Sequence, residues 1–257
     1  MNSFEKDYIN YLDKHISAPL EIETFYHYTT MDALLNGIIR KDSKDSGYVC
    51  LRATHNRFFN DPSELIPGAL IQEQLLEMLS KDISHEESRK KVINRMKGLF
   101  ILSFSQNNTS LPMWTAYADK GRGVALGFKR QKSRNFQDIV IKCSYGGVSQ
   151  HLEKKQMLLA LLIAIYLPQI VKDEAYAYEQ EVRLVGYFQN LPTLYRQKGD
   201  LRIPYKEILF HKGQLESITL GPCISTDEEV DTLRQFLDNS GFEHVIIKKS
   251  QIPYRNL

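Results

Sequence analysis

The feature that most limits the fold is a series of short runs rich in β-branched and aromatic residues, with stretches of helical spacing between the earlier runs. The runs predict strands at 24–29, 48–53, 100–105, 123–128, 139–145, 181–188, 201–208, 217–220 and 245–248. Helical spacing and capping residues predict helices at 2–15, 31–36, 68–80, 86–97, 150–172 and 226–239, and the segment 113–118 is expected to be either a short helix or a loop. Because strands and helices do not alternate regularly, the pattern predicts an α+β fold: a mixed, mainly antiparallel sheet core with inserted helices.

The sequence shows no repeat of fixed period and no stretch rich in Ser, Gly and Pro that would separate two halves. We therefore predict a single domain over residues 1–257, with a core at about 22–222. The N-terminal helix and the C-terminal helix and strand are expected as additions to that core.

The charges are nearly balanced, with 33 Lys and Arg against 31 Asp and Glu, so the net charge is +2. Together with a hydrophobic content of 42%, this balance indicates a globular protein and excludes a disordered or collagen-like chain. A charge of +2 gives no strong general attraction to nucleic acid. We interpret the basic runs at 89–97 and 129–134 as solvated faces.

The three cysteines, Cys50, Cys143 and Cys223, are odd in number and far apart, which fits neither a disulfide framework nor a metal site. The first 15 residues are charged and lack the apolar region of a secretory signal. The longest apolar run, Met157–Leu167, is shorter than the roughly 20 residues that cross a bilayer. We therefore predict a reduced, cytoplasmic protein without membrane contact.

Several common functional motifs are absent from the sequence. It contains no Gly-x-Gly-x-x-Gly, no phosphate-binding loop of NTPases, no His-Glu-x-x-His and no nucleophile elbow. The seven histidines are scattered, so no bound metal is expected.

Candidate chemical groups occur on two predicted strands. His27 lies in the middle of the first, where its side chain points from one defined face. Glu179 precedes the strand that begins at Glu181, and alternation places Glu181 and Arg183 on the same face. The alternatives are a half-buried structural histidine and an ordinary Arg183 ion pair on a solvated strand.

Two further segments have both structural and functional interpretations. The segment 60–64, Asn-Asp-Pro-Ser-Glu, is typical of a turn that leads into a helix. Trp114 and Tyr117 are three residues apart, so a helix would place both on one face. Such an aromatic face serves either core packing or ligand contact.

Five segments in order carry a resemblance to a known family: 25–29 (Phe-Tyr-His-Tyr-Thr), 59–62 (Phe-Asn-Asp-Pro), 102–105 (Leu-Ser-Phe-Ser), 113–119 followed by 123–124, and 178–184 (Tyr-Glu-Gln-Glu-Val-Arg-Leu). Together they resemble an uncharacterised bacterial family, domain of unknown function 2971. The resemblance covers about 25–222 and implies no settled activity.

A more distant resemblance is to the ADP-ribosyltransferase superfamily. The aromatic-aromatic-His-x-Thr strand around His27, followed by a helix that ends in Gly37-Ile38, is similar to its opening motif, and Asn36 is similar to the branch that modifies DNA bases. The segments 103–105 and 179–181 are similar to the Ser-x-Ser strand and the Glu-x-Glu of the superfamily. This resemblance implies a split sheet and NAD as the substrate.

The same resemblance implies roles for three residues. Breaking the nicotinamide glycosidic bond produces an oxocarbenium-like ribose, and the carboxylate of Glu181 would stabilise its positive charge. Glu179 would orient or deprotonate the acceptor. His27 would contact the adenosine ribose.

The resemblance also implies a set of NAD-binding residues. Tyr28 and Thr29 would lie at the nicotinamide, and Arg52 or Arg57 would pair with the pyrophosphate. The other expected binding residues are Asn36, Ser103 and Ser105, with four open candidates for stacking on nicotinamide: Phe58, Phe59, Trp114 and Tyr117.

The predicted function is therefore an NAD-consuming transferase that acts as a toxin, effector or phage-defence component. Its acceptor would be a protein or nucleic acid, and an antitoxin or other partner protein would control it. One alternative is a non-catalytic nucleotide- or partner-binding module in which Glu179, Glu181 and Arg183 form a structural ion network. The other is a metal-free hydrolase or nuclease that uses His27 and Glu181 as acid and base.

Overall fold

The computed structural model describes residues 23–41, 47–58, 98–129, 138–145, 171–224 and 226–254. Within these ranges the strands are β1 Thr24–Thr29, β2 Ile39–Lys41, β3 Gly47–His55, β4 Phe100–Ser105, β5 Val124–Lys129, β6 Asp138–Lys142, β7 Ser144–Tyr145, β8 Val171–Lys172, β9 Glu181–Gly186, β10 Leu194–Lys198, β11 Leu201–His211, β12 Leu215–Leu220 and β13 Ile246–Lys249. The helices are α1 Met31–Ala33, which continues as a π-turn over Leu34–Ile38, α2 Leu111–Tyr117 and α3 Asp227–Asn239. Short 3₁₀ turns cover Asn56–Phe58, Asp119–Gly121, Glu174–Glu179 and Lys212–Gln214.

Eleven of these strands form one large sheet, and the predicted α+β class with a mainly antiparallel sheet is confirmed. The strand order along its main path is β10-β11-β3-β4-β1-β5-β12-β13. Strand β9 pairs with β4 and β6, and β2 pairs with β3. The parallel pairs in the described ranges are β12 with β13 and β7 with β8.

The main core packs against one face of this sheet. Residues such as Leu102 and Phe104 of β4 and Val182 of β9 contribute to it, together with Leu233 and Leu237 on the apolar face of α3. A capping box stabilises the start of α3. Thr226 accepts a hydrogen bond from the Glu229 backbone N–H, and the Glu229 side chain accepts one from the Thr226 backbone N–H.

Most predicted elements in the described ranges are confirmed, and two of them, 24–29 and 100–105, have the predicted bounds. Strands β2 and β10 were not predicted. The predicted end of the helix at 150–172 is wrong, because Val171 and Lys172 form a strand. The predicted stop at Gly37 is also wrong, because the π-turn continues through it. Predicted helices 2–15, 68–80 and 86–97, and the helix over 150–170, lie outside the described residues.

No helix in the part of the chain that the structure describes combines the length and apolar character needed to cross a membrane.

Close backbone contacts fix α2 against β1. The Gly123 N–H donates to the Ala118 carbonyl at 2.9 Å, and a Cβ at position 123 would lie 2.2 Å from the Thr29 carbonyl oxygen. Only glycine permits this approach, which holds the end of α2 beside the end of β1.

We expect Gly123→Ala to lower the free energy of unfolding by about 2–3 kcal/mol, because the new methyl group meets rigid backbone rather than a movable side chain. Gly37→Ala is the matched control, since a Cβ there meets nothing within 4 Å. We expect the control to stay within about 1 kcal/mol of the wild type in urea unfolding. Equal losses in the two variants would contradict this account.

Candidate functional site

The site lies where the sheet forks along strand β4. Strand β9 pairs with β4 along its whole length, from Phe100 to Ser105, and so occupies one edge completely. The other edge is shared: β3 pairs with Phe100 and Ile101, whereas β1 pairs with Ser105. On this edge, the backbone at 102–104 therefore pairs with neither β3 nor β1. We call the opening between the two strands the fork.

A cleft of about 720 Å³ opens at the fork, a volume within the usual range of roughly 300–1,000 Å³ for small-molecule pockets. Its walls come from β1, β3, β4, β10, α1 with its π-turn, α2 and the segment 172–181. Residues of both sheet faces line the cleft, because Leu102 and Phe104 belong to the core face and Ser103 and Ser105 to the opposite one.

His27 reaches the fork from β1. Its Nδ1 lies 3.0 Å from the carbonyl oxygen of Ser103, and its ring packs edge-on against Phe104. Because a carbonyl only accepts, Nδ1 carries the proton and Nε2 is the acceptor nitrogen of the neutral ring. Burial lowers the pKa of His27, although the bond to Ser103 partly opposes this effect. The imidazole is therefore neutral at pH 7.

Three cleft residues, Lys172, Glu179 and Glu181, form a buried cluster of four charges with Arg183, which does not line the cleft. Lys172 Nζ contacts Glu179 Oε2 and lies 2.8 Å from Glu181 Oε2. Arg183 Nη2 lies 2.8 Å from the same Glu181 oxygen. Two cations thus balance two carboxylates, and Arg183 is 0% exposed. The ion pair of Arg183 that the alternative interpretation predicted is therefore present. The predicted solvated position of that pair is wrong, because the pair is buried.

Glu181 is the carboxylate with an available oxygen. Burial disfavours its charged form, but Arg183 and Lys172 outweigh burial and lower its pKa to about 2. Its side-chain contacts within the described residues, from Cys143, Lys172 and Arg183, all reach Oε2. The carboxylate is therefore ionised at neutral pH, and no side chain within the described residues contacts Oε1.

Glu179 is held on both of its carboxylate oxygens. Tyr117 donates its hydroxyl to Oε1 at 2.7 Å, and Lys172 contacts Oε2. Burial and this bond to the carboxylate raise the pKa of Tyr117, so the phenol remains protonated. Glu179 is therefore better arranged to position Tyr117 and Lys172 than to take a proton.

The end of β4 positions the turn that carries both glutamates. Ser105 Oγ donates to the Glu179 carbonyl at 2.7 Å, and the Gln106 N–H donates to the Gln180 carbonyl at 3.0 Å. Gln180 has a φ of 43°, a left-handed conformation that costs energy for a residue with a side chain. The Glu181 N–H then donates to the Tyr145 hydroxyl at 2.7 Å. These bonds fix where Glu179 and Glu181 point.

Most of the predicted site residues come together in the cleft. They are His27, Tyr28, Thr29, Asn36, Arg52, Phe58, Ser103, Ser105, Tyr117, Glu179 and Glu181. Phe59 lies outside the described residues. Arg57 is described and does not line the cleft.

Trp114 is a correction to the predicted stacking candidates. The side chain is 0% exposed, packs edge-on against Tyr28 at 4.9 Å between ring centroids, and donates Nε1–H to the Asn108 carbonyl. No ring face remains for a ligand, so Trp114 supports the cleft wall from behind. Tyr117, on the same helix, is 40% exposed and does line the cleft.

Among the cleft residues that were not predicted from the sequence are Lys172, Tyr176 and Arg196, which bear on the chemistry of the site. Lys172 was assigned to the end of a helix, and Arg196 belongs to the unpredicted strand β10. Tyr176 lies under the Lys172 ammonium, with 5.1 Å from Nζ to the ring centroid. The alternating aromatic residues in Tyr176-Ala177-Tyr178 were the available signal for Tyr176.

The described structure is thus an α+β protein with a ligand-sized cleft and a buried charge cluster at the fork of its sheet. Residues 113–184 match the family described as "Protein of unknown function (DUF2971)", in agreement with the similarity predicted from the motifs. The matched segment includes Tyr117, Lys172, Glu179 and Glu181. Comparisons with curated proteins and with solved structures give no match.

We expect the charge cluster to make stability pH-dependent. The pKa of Glu181 is about 2 in the folded protein against an ordinary 4.5, so its ionic contribution is complete above pH 4.5 and is lost as the pH falls towards 2. A protonated Glu181 carries no charge and has nearly the same shape as glutamine, so the two proteins become more alike as the pH falls. The stability gap between wild type and Glu181→Gln should therefore shrink on acidification, by about 2 kcal/mol between pH 7 and pH 3.

Urea unfolding at a series of pH values between 7 and 3 measures this gap. Glu216→Gln, which removes one negative charge outside the cleft, is the matched control. A gap for Glu181→Gln that stays constant over the series would contradict the assigned ionisation.

Proposed function

We propose that the protein binds NAD in this cleft and transfers ADP-ribose from it to a macromolecular acceptor, as an enzyme of the ADP-ribosyltransferase type. The main support is that His27 and Glu181, from distant parts of the sequence, line one cleft of ligand size. The neutral imidazole and the ionised carboxylate differ in charge and therefore suit different parts of one ligand.

The proposed chemistry uses the available oxygen of Glu181. When the bond between nicotinamide and the ribose C1′ breaks, its electron pair leaves with the nicotinamide ring and positive charge develops on the ribose. A fixed carboxylate in a site shielded from water stabilises that charge. A nucleophile of the acceptor then forms the new bond to C1′ and gives up its proton to solvent or to a nearby base. Glu179 would act by orienting the site through Tyr117 and Lys172.

The other residues would bind and orient the substrate. His27 Nε2 would accept a hydrogen bond from a hydroxyl of the adenosine ribose. Tyr28 and Thr29 would flank the nicotinamide, with Asn36, Ser103 and Ser105 along the same walls. For stacking on nicotinamide, Tyr117 and Phe58 remain as candidates, and Tyr176 joins them because it lies against Lys172 beside both carboxylates.

The acceptor in this proposal is a protein or nucleic acid, and the biological role is that of a toxin, effector or phage-defence component controlled by a partner protein. Mass spectrometry of proteins and nucleic acids from cells that express the chain tests this directly. An added ADP-ribose mass should appear with the wild type and be absent with Glu181→Gln.

We expect Glu181→Gln to reduce release of free nicotinamide from NAD by at least about a hundredfold, because it removes the charge that stabilises the oxocarbenium-like ribose. Chromatography of nicotinamide at a temperature where both proteins are folded by circular dichroism measures the effect. Glu216→Gln should retain the wild-type rate. Equal rates for wild type and Glu181→Gln would remove the catalytic assignment.

We expect His27→Ala to weaken NAD binding about five- to tenfold, the usual effect of losing one neutral hydrogen bond. Calorimetric titration in a Glu181→Gln background avoids turnover during the measurement. His244→Ala is the control, because His244 is an exposed histidine outside the cleft. Unchanged NAD affinity in the His27 variant would dismiss the ribose contact.

A second candidate is favoured by one specific observation. Lys172 binds both glutamates, so the four charges also satisfy one another without any ligand. In a non-catalytic binding module this network would serve only to hold β8, β9 and the intervening turn together. Such a module would bind a nucleotide or partner and release no nicotinamide under any condition tested, which separates it from the first proposal.

A further inference from the structure

Two arginines, Arg52 and Arg196, line the cleft, and we call this pair its basic end. The resemblance already implied Arg52 as a candidate partner of the pyrophosphate, whereas Arg196 has no assigned role. Arg52 lies on β3 and Arg196 on β10, two strands separated by β11 in the sheet. Both side chains line the cleft. Arg196 Nη2 lies 3.4 Å from Thr54 Oγ1, which places the second guanidinium above β3 beside the first.

Strand register places a third arginine on the same face. Arg52 on β3 pairs with Glu207 on β11, and Arg196 on β10 pairs with Ile203 on β11. Because Ile203 and Glu207 are four residues apart on one strand, their side chains and those of both arginines lie on the same face of the sheet. Arg40 binds Glu207 through two parallel hydrogen bonds of 2.9 and 3.0 Å. On strands β2, β3, β10 and β11 this face carries four cationic side chains, Arg40, Arg52, Arg196 and Lys198, against one carboxylate, a local charge of four minus one, or +3.

The single carboxylate is already engaged in a bidentate pair with Arg40, which is the geometry that uses both of its oxygens. In the described part of the chain, neither Arg52 nor Arg196 forms an ion pair. Burial lowers the pKa of Arg196, and repulsion from Arg52 adds to this effect. Two neighbouring like charges at the mouth of a cleft favour an anion between them.

Arg52 is also held in place. Its Cζ lies 4.9 Å from the centroid of the Tyr205 ring, and the buried ring fixes the plane of the guanidinium. An ordered guanidinium loses less conformational entropy when it binds an anion, and its planar donors match phosphate oxygens.

We infer that Arg52 and Arg196 form a diphosphate-binding subsite at the basic end of the cleft, with each guanidinium contacting one phosphate. The subsite itself stands on the positions of these arginines. Its assignment to the diphosphate of a dinucleotide rests on the proposed function. Arg57, which does not line the cleft, has no part in it.

The test is calorimetric titration of the whole protein with inorganic pyrophosphate and with ADP-ribose. We expect both to bind, with affinity that falls as salt is raised. Arg52→Ala and Arg196→Ala should each weaken binding about ten- to a hundredfold, the usual effect of losing a charge-assisted bidentate contact.

Arg202→Ala is a closely matched control. Arg202 also stacks on a tyrosine of the same hairpin, with 5.0 Å from its Cζ to the Tyr195 ring centroid, but alternation places it on the opposite face from Arg196. We expect its affinity for pyrophosphate to stay within twofold of the wild type. A wild type that does not bind pyrophosphate, or an equal loss in Arg202→Ala, would overturn the subsite.

Two further measurements distinguish a dinucleotide subsite from a site for a nucleic-acid backbone, and the subsite from the proposed function. A short single-stranded oligonucleotide that binds more tightly than ADP-ribose would overturn the dinucleotide assignment in favour of a nucleic-acid backbone. If pyrophosphate binds but no nicotinamide is released, the subsite stands and the proposed function fails.

Discussion

The balance of charge around Glu181 is the constraint on which the site depends. A buried carboxylate without a partner is too costly to persist, and the Glu179-Gln180-Glu181 turn brings two of them below the protein surface. Arg183 supplies one cation from within the same strand, but the second must come from elsewhere. Lys172 provides it, so the short strand β8 has to reach the start of β9 before the glutamates can be buried.

The fork in the sheet turns this charge cluster into part of a cleft. If β1 had paired along all of β4, the edge at 102–104 would have been closed by a ladder of backbone bonds. Instead, β1 and β3 each take one end of that edge, and the His27 imidazole contacts the Ser103 carbonyl in the gap. Because a backbone oxygen in a gap needs a donor, the same histidine satisfies the fold and presents its other nitrogen to the cleft.

Much of this arrangement could be predicted from the sequence, because local patterns determine it. Continuous β-branched and aromatic runs gave β1 and β4 their bounds, and simple alternation placed Glu181 and Arg183 on one face. Spacing could not tell which side of α2 is buried, so Trp114 stayed among the open candidates for stacking until its burial excluded it. Lys172 and Arg196 were missed for another reason: each acts through partners that only the sheet topology brings near, and two-residue strands such as β8 leave no pattern.

The two ends of the cleft differ in a way that bears on how such a site would work. At the carboxylate end the charges are already matched by Lys172 and Arg183, so a ground-state ligand gains little there beyond contact with one oxygen of Glu181. At the arginine end the charge is unmatched, so a phosphate gains more. In the proposed reaction, binding energy from the arginines would hold the substrate in place, and Glu181 would contribute most when positive charge appears on the ribose. Under the proposed function, the arginines would supply binding and Glu181 would stabilise charge, whereas a module that only retains a nucleotide would use the arginines alone.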